Sequence, residues 1–304
     1  MNDATDTTDH TDPAVVRTRH VVSAINHLHG LHFELRGRCE GGMNGGAWIL
    51  VDPAGGHAIL KCRDDDPASR RPRLLGMVDA LRATGYPTPR WIAAGVTEAG
   101  TSYHVQELVS GQPGDPLTAE SVAPLVDVIE RQAGLDPDPG HNWSDYISAV
   151  VLDQHPDGPR PFLQTLGQAG RDLLTHFDQV LAPHGAVQLP DGDMVHGDFN
   201  SCNVMMEDGR VTGVIDVEAL GSGTRVVDYA WLLREAYVET DSGEVRQLIR
   251  RAGEAVAGPG PLAFSVAATA FDIVRFQVVR DDPRNVPGVL ASLHLLADDL
   301  TRLL

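Results

Sequence analysis

Two carboxylates and an amide stand at a spacing that suits chemistry on phosphate. His196-Gly197-Asp198 is followed five residues after the aspartate by Asn203, and thirteen residues later by Asp216. Asp216 closes an apolar run, Val211 to Asp216 (VTGVID). That run and Met194-Val195-His196 read as short strands. Glu207 to Arg210 (EDGR) between them reads as a turn, because Asp-Gly favours a tight reversal. Asp198 and Asn203 then lie on a loop, Asp216 ends the following hairpin, and the three side chains meet. Phosphoryl transfer to an alcohol calls for such a trio. One carboxylate orients and deprotonates the hydroxyl, while an amide and a second carboxylate hold Mg2+ against nucleotide phosphates. Asp198 is assigned as the base, Asn203 and Asp216 as Mg2+ ligands, and His196 as a brace of the catalytic loop. Taken singly, each has a plainer reading, as the cap of a strand end or the start of a turn. Asp228, in RVVDYAWLL, reads as the cap of the helix that follows.

Protein kinases order the same groups, a loop Asp, an Asn and a later Asp. Here their H-R-D is replaced by His-Gly-Asp and their D-F-G by Ile-Asp-Val. HGDFNSCN, residues 196–203, followed by VIDVEALGSGTRVVDYA, residues 214–230, closely resembles the aminoglycoside phosphotransferase family of small-molecule kinases. The resemblance covers roughly residues 31–240. It implies an α+β, bilobal, protein-kinase-like fold. Residues 14–110 would form a small N-terminal nucleotide-binding lobe built on a β-sheet, and 111–304 a larger, mostly helical lobe for catalysis and substrate. The implied donor is ATP or GTP with Mg2+, and the implied acceptor a hydroxyl of an antibiotic, a choline-like compound or a sugar. An APE segment and activation loop are missing after Asp216, which argues against a protein kinase.

Of 24 basic side chains, Lys61 is the only lysine. A position spared from arginine needs a compact ammonium on a flexible stem. Lys61 lies on the third of three expected strands, Leu31–Arg36, Trp48–Asp52 and His57–Cys62. Kinases place a phosphate-pairing lysine there. Gly41, Gly42, Asn44, Gly45 and Gly46 join the first two strands, and such a glycine-rich loop lets backbone N–H groups approach phosphates. No Walker A pattern is present. A helix over Pro67–Thr84 follows, without the glutamate that kinases pair with their lysine. Asp79 is its only interior acid, and Asp64, Asp65 and Asp66 precede it. By resemblance, adenine meets backbone at Glu107 to Val109, where the strand Ser102–Val109 runs into a Gly/Pro-rich linker.

Beyond the linker the pattern is helical: Thr118–Gln132, Asn142–Asp153, Pro161–Leu181, Asp228–Tyr237, Glu244–Val256, Pro261–Arg280 and Pro287–Leu304. The family builds its antibiotic pocket from acids after the metal-binding Asp. Glu235, Glu239 and Asp272 are therefore substrate candidates, with a solvated face or a local pair with Arg234 or Arg275 as the alternative for each. Glu218 reads as a structural or outer-shell acid.

The net charge of −18 is uneven. Residues 1–112 carry 11 basic against 13 acidic side chains, and the remainder 13 against 29. Nucleic acid is an unlikely partner for such a surface. A cationic small molecule suits it, as does plain solubility. His27, His29 and His32 lack the carboxylate or cysteine partners of a metal site. Cys39, Cys62 and Cys202 show neither metal nor disulfide spacing, so a reduced cytoplasm is expected. No run reads as a membrane span, and no secretory signal opens the chain. Residues 1–13 are expected to be a disordered tail, and the whole a monomer or weak dimer. Two other functions fit the motifs: a metabolic kinase for homoserine, choline or a sugar, and a nucleotide- or antibiotic-binding protein without catalysis. The missing helix glutamate is the only support for the last.

Overall fold

The computed structural model describes residues 12–39, 46–64, 69–114, 116–154, 157–240, 242–280 and 283–302. It has two compact units, divided between Ser110 and Gly111.

The first unit is a sheet with helices packed on it. α1 (Pro13–His29) is capped by the Asp12 side chain, which accepts from the Ala14 N–H. Pro13, expected in the tail, is its first residue because a proline at that position loses no helix hydrogen bond. β1 (Glu34–Arg38), β2 (Ala47–Val51), β3 (His57–Arg63), β4 (Trp91–Val96) and β5 (Ser102–Glu107) form one antiparallel sheet, in the order β1-β2-β3-β5-β4. The Trp91–Val96 strand is absent from the sequence reading. Its neighbour α2 (Arg71–Ala83) starts later than expected, buries Leu74, Val78 and Leu81, and leaves Asp79 exposed. Ala58 and Leu60 alternate inwards on β3 and pack with Val22 and Ile25 of α1 and with Trp48 and Leu50 of β2. Full burial of each aliphatic side chain contributes roughly 1.5–3 kcal/mol. Lys61, one residue on, points to the other face of the sheet.

The second unit is mainly helical. β6 (Gln112–Pro113) leads to α3 (Ala119–Glu130), α4 (Trp143–Val151), α5 (Pro159–Thr165) and α6 (Gln168–Leu181). Thr118 caps α3 and Asn142 caps α4 with their side-chain oxygens. The single helix expected over Pro161–Leu181 is broken at Leu166-Gly167, where Gly167 takes φ +73°. β7 (Asp193–Val195), β8 (Val204–Glu207), β9 (Arg210–Val214) and β10 (Gly221–Gly223) follow. The chain ends in α7 (Val226–Glu239), α8 (Gly243–Ala257), α9 (Pro259–Arg280) and α10 (Val286–Thr301).

The core is built on α7 and α9, with Phe177 of α6 edge-on to Phe271 of α9 at 5.6 Å between centroids. Pro259–Val279 corrects the reading that no run has membrane length. It is long and apolar enough, at mean hydropathy 1.5, but most of it is buried inside the unit, as expected of a core helix.

Candidate active site

The hairpin that carries the site differs from the one expected. β9 pairs with β8, not with the Met194 run, and Asp208-Gly209 between them adopts φ +51° and +71°. Two residues with positive φ make the tight turn that suits the strand twist. The Met194 run, β7, pairs with β10 instead. Two strand ends nonetheless converge. Val204 faces Val214, and the Ile215 N–H donates to the Asn203 carbonyl at 2.8 Å. Asn203, just before β8, and Asp216, just after β9, therefore lie at the same end of the hairpin.

His196 is fully buried. Its Nε2 donates to the Ile215 carbonyl at 2.9 Å, which leaves Nδ1 to accept from the Asp198 N–H at 3.3 Å. It ties the loop to the hairpin and is a brace, so its place beside Asp198 is that of a positioning residue. Gly197 takes φ +81°, and a Cβ there would lie 2.2 Å from Trp143. Trp143 in turn donates from Nε1 to the Ala219 carbonyl at 2.9 Å. An indole thus fills the space between the loop and the turn after Asp216.

The carboxylate of Asp198 accepts from Asn200 Nδ2 and from Asn203 Nδ2, each at 3.3 Å. The same two amides donate to the Asp198 carbonyl at 3.1 and 2.9 Å. Burial pushes the Asp198 carboxyl up, against the pull of neighbouring charges and of these amides. Asn200, which sequence reasoning passed over, also accepts from the Asn203 N–H and so shapes the turn that presents Asn203. Asp216 takes a left-handed conformation, φ +66°. That conformation is uncommon for a residue with a Cβ and clusters at functional sites.

Asp228 corrects its expected role. It sits inside the first turn of α7 and caps nothing. Its Oδ2 accepts from the His196 N–H at 2.7 Å and Oδ1 from the Gly197 N–H at 3.0 Å. Burial pushes this carboxyl up, while the two backbone donors and Gln132 favour its charged form. Glu235, expected among the substrate acids, is a second strap. It is buried and accepts from the Ser201 N–H at 3.0 Å and from the Ser201 hydroxyl. Glu239, one turn on, is exposed. Asp272 is half-buried and accepts from the Tyr146 hydroxyl at 3.0 and 3.1 Å.

In the first unit Lys61 stands on β3 between Ala47 of β2 and His104 of β5. Asp64 is held by Arg17 and by the Thr101 hydroxyl. Glu107 pairs with Arg90 at 2.9 Å, and its N–H donates to the Arg90 carbonyl. Val109 lies past the end of β5. Gly46 is described, with φ +103°. Gly41, Gly42, Asn44 and Gly45, with Asp65 and Asp66, lie outside the described residues. Among the described residues no group of three or more His, Cys, Asp or Glu is arranged to hold a metal, and Cys39, Cys62 and Cys202 form no disulfide.

Solved antibiotic phosphotransferases share the fold. A thermostable mutant of aminoglycoside phosphotransferase APH(4)-Ia, in ternary complex with ADP and hygromycin B, superposes with a TM-score of 0.65 at 16% identity, over 90% of this chain and 96% of the other. Aminoglycoside-3'-phosphotransferase of type VIII gives 0.57 at 22% identity, over 83% and 99%. Macrolide 2'-phosphotransferase MphH from Brachybacterium faecium gives 0.57 at 16% identity, over 90% and 97%. The α+β, kinase-like fold expected from the loop motif is therefore present. Residues 38–264 match the model of the phosphotransferase enzyme family, APH, and the chain belongs to that family.

Proposed function

We propose that this protein transfers the terminal phosphoryl group of ATP or GTP to a hydroxyl of a small-molecule antibiotic and so inactivates it. The observation that carries the reading is the convergence of Asp198, Asn203 and Asp216 on one braced loop and hairpin end. Asp198 accepts the hydroxyl proton as the acceptor oxygen bonds to phosphorus and the bond to the nucleotide's bridging oxygen breaks. A carboxyl pushed up by burial is a better base for this than a solvated one. Most of the rate comes from positioning and charge neutralisation, because the transition state is loose.

The residues present fit Mg2+. Asn203 spends its amide nitrogen on Asp198, and its Oδ1 has no hydrogen-bond partner among the described residues. With the Asp216 carboxylate it offers hard oxygen donors, and Mg2+ bound by one or two side chains completes its shell with water and phosphate. When bound, the ion neutralises charge on the transferred group. Lys61 pairs the nucleotide phosphates, the glycine-rich loop ending at Gly46 covers them, and backbone from Glu107 to Val109 meets the adenine. Glu239 and Asp272 face a cationic acceptor. The enzyme works as a monomer or weak dimer in the cytoplasm, where nucleotide is abundant.

Asp198→Ala tests the reading. Nucleotide affinity by calorimetry should stay within about twofold, and phosphorylated product by mass spectrometry over a panel of antibiotics should fall at least ~100-fold. Turnover retained in the variant overturns the assignment of the base.

A further inference from the structure

α4 carries two stripes of side chains. Ser144, Ile147 and Val151 are buried and give the helix its core face. Beside that face Trp143 and Tyr146, one turn apart, are only half-buried. Their rings stand edge to face, with centroids 5.4 Å apart and planes at 82°. Large rings that the helix does not need for its core are available to a ligand.

The pair stands against the catalytic loop. A Cβ on Gly197, the residue before Asp198, would meet the Trp143 ring at 2.2 Å, and one on Gly221 would come within 2.9 Å of it. Two glycines thus let backbone close on the Nε1 side of the indole, and the bond from Nε1 to the Ala219 carbonyl fixes its rotation. Tyr146 is fixed from α9, because its hydroxyl donates to the Asp272 carboxylate, with the two oxygens at 3.0 and 3.1 Å. Burial and then Asp272 push that hydroxyl well up, so it remains a donor. Gly197, Trp143, Tyr146 and Asp272 therefore form a chain of direct contacts from the loop to α9. Among the described residues guanidinium groups lie over Trp48, Phe271, Trp231 and Tyr237, and none lies over Trp143.

We propose that Trp143 and Tyr146, backed by Asp272, form a recognition wall for an organic ammonium group of the acceptor. Rings at right angles offer no single flat platform for a sugar to stack on, but they suit a compact cation held against more than one ring. The carboxylate behind Tyr146 adds to the attraction, since a phenol that donates to an anion has a more electron-rich ring. The inference rests on the reading of the acceptor as a cationic alcohol phosphorylated at this loop, and its test separates the two.

Choline and 3,3-dimethylbutan-1-ol, its uncharged isostere, separate charge from shape. Their affinities for the full chain are measured by calorimetry, without nucleotide and without turnover. Choline should bind at least ~5-fold more tightly than the isostere. Tyr146→Leu should cut that ratio at least ~3-fold, while Tyr146→Phe, which keeps a ring, should hold it within about twofold. Equal affinities, or no binding of choline, overturn the proposal. So does a ratio unchanged in Tyr146→Leu, since the ring would then serve packing alone. A ratio lost as fully in Tyr146→Phe would give recognition to the hydroxyl and carboxylate and overturn the role of the ring. If Tyr146→Leu does not fold, Asp272→Asn takes its place and must cut the ratio at least ~2-fold; an unchanged ratio there overturns the proposal as well. A ratio kept by a chain that phosphorylates nothing would sink the proposed phosphotransfer and leave this site standing. An antibiotic phosphotransferase without the ratio would do the reverse.

Discussion

The carboxylates beneath the catalytic loop and those at the C-terminal end of α7 and on α9 belong to one unit and are held in opposite ways. Asp228 and Glu235 are buried, and each accepts from two donors on the loop. Glu239, the last residue of α7, is exposed and makes no hydrogen bond or ion pair among the described residues. Asp272 is half-buried on α9 and accepts from the Tyr146 hydroxyl. The first pair therefore fixes the geometry of the loop, and neither member of the second touches it. Reaction type depends on the fixed part, because a catalytic group out of line by about an ångström can lose about a hundredfold in rate whatever the substrate. Substrate choice is left to the looser part.

The comparison breaks most easily at Asp228. Asp228→Ala strands the buried N–H groups of His196 and Gly197 and should cost about 3 kcal/mol or more in urea unfolding. Because those N–H groups set the path into Asp198, turnover should fall further than stability alone requires at a temperature where the variant is folded. A variant with normal kcat would mean that the strap serves folding only.

How much of this was legible before folding follows from the range of each contact. Asp198, Asn203 and Asp216 were readable because phosphoryl transfer fixes both residue types and a short spacing. The fold class followed from the same loop, since its resemblance carried the kinase-like architecture. The strap was hidden: Asp228 reaches back to residues 31 and 32 positions earlier, and Glu235 reaches 34. Helical periodicity says which α7 residues share a face, but the side that meets the loop is decided by packing against α8, α9 and α10. The hairpin was misassigned although Asp208-Gly209 pointed to it, because a two-residue turn pairs the residues immediately flanking it, Val204–Glu207 with Arg210–Val214. The strand Trp91–Val96 was missed because WIAAGV is short, partly small-residued and without alternation.

A smaller effect sharpens the contrast from outside both groups. His176 and His294 stack between α6 and α10, with Nδ1 atoms 2.9 Å apart, and His176 Nε2 lies 3.2 Å from Asp298. Burial, then the neighbouring His176, pulls His294 below the usual imidazole range. The unfolded chain therefore binds more protons than the folded one just below the ordinary histidine value of about 6.5. Stability from this contact is present above that value and is lost as pH falls below it, down through the lowered folded value. His294→Phe, which keeps a ring in place, should flatten the decline of Tm between about pH 7 and pH 5.5. An unchanged slope would assign the decline to other groups.

The smallest effect on stability belongs to the loose acids and is the one that matters for substrate. Glu239→Gln should change unfolding by no more than about 0.5 kcal/mol, the usual range for an exposed side chain. Asp272→Asn should cost more, about 1 kcal/mol, since an amide still accepts from the Tyr146 hydroxyl but through a single oxygen. If these acids meet a cationic acceptor, both variants raise the acceptor KM and leave the nucleotide KM and kcat near wild type. That pattern, a loss confined to one substrate with no loss of fold, is what the strap residues cannot produce. A fall in kcat at constant acceptor KM would merge the two groups and make the rim acids part of the geometry that holds the base.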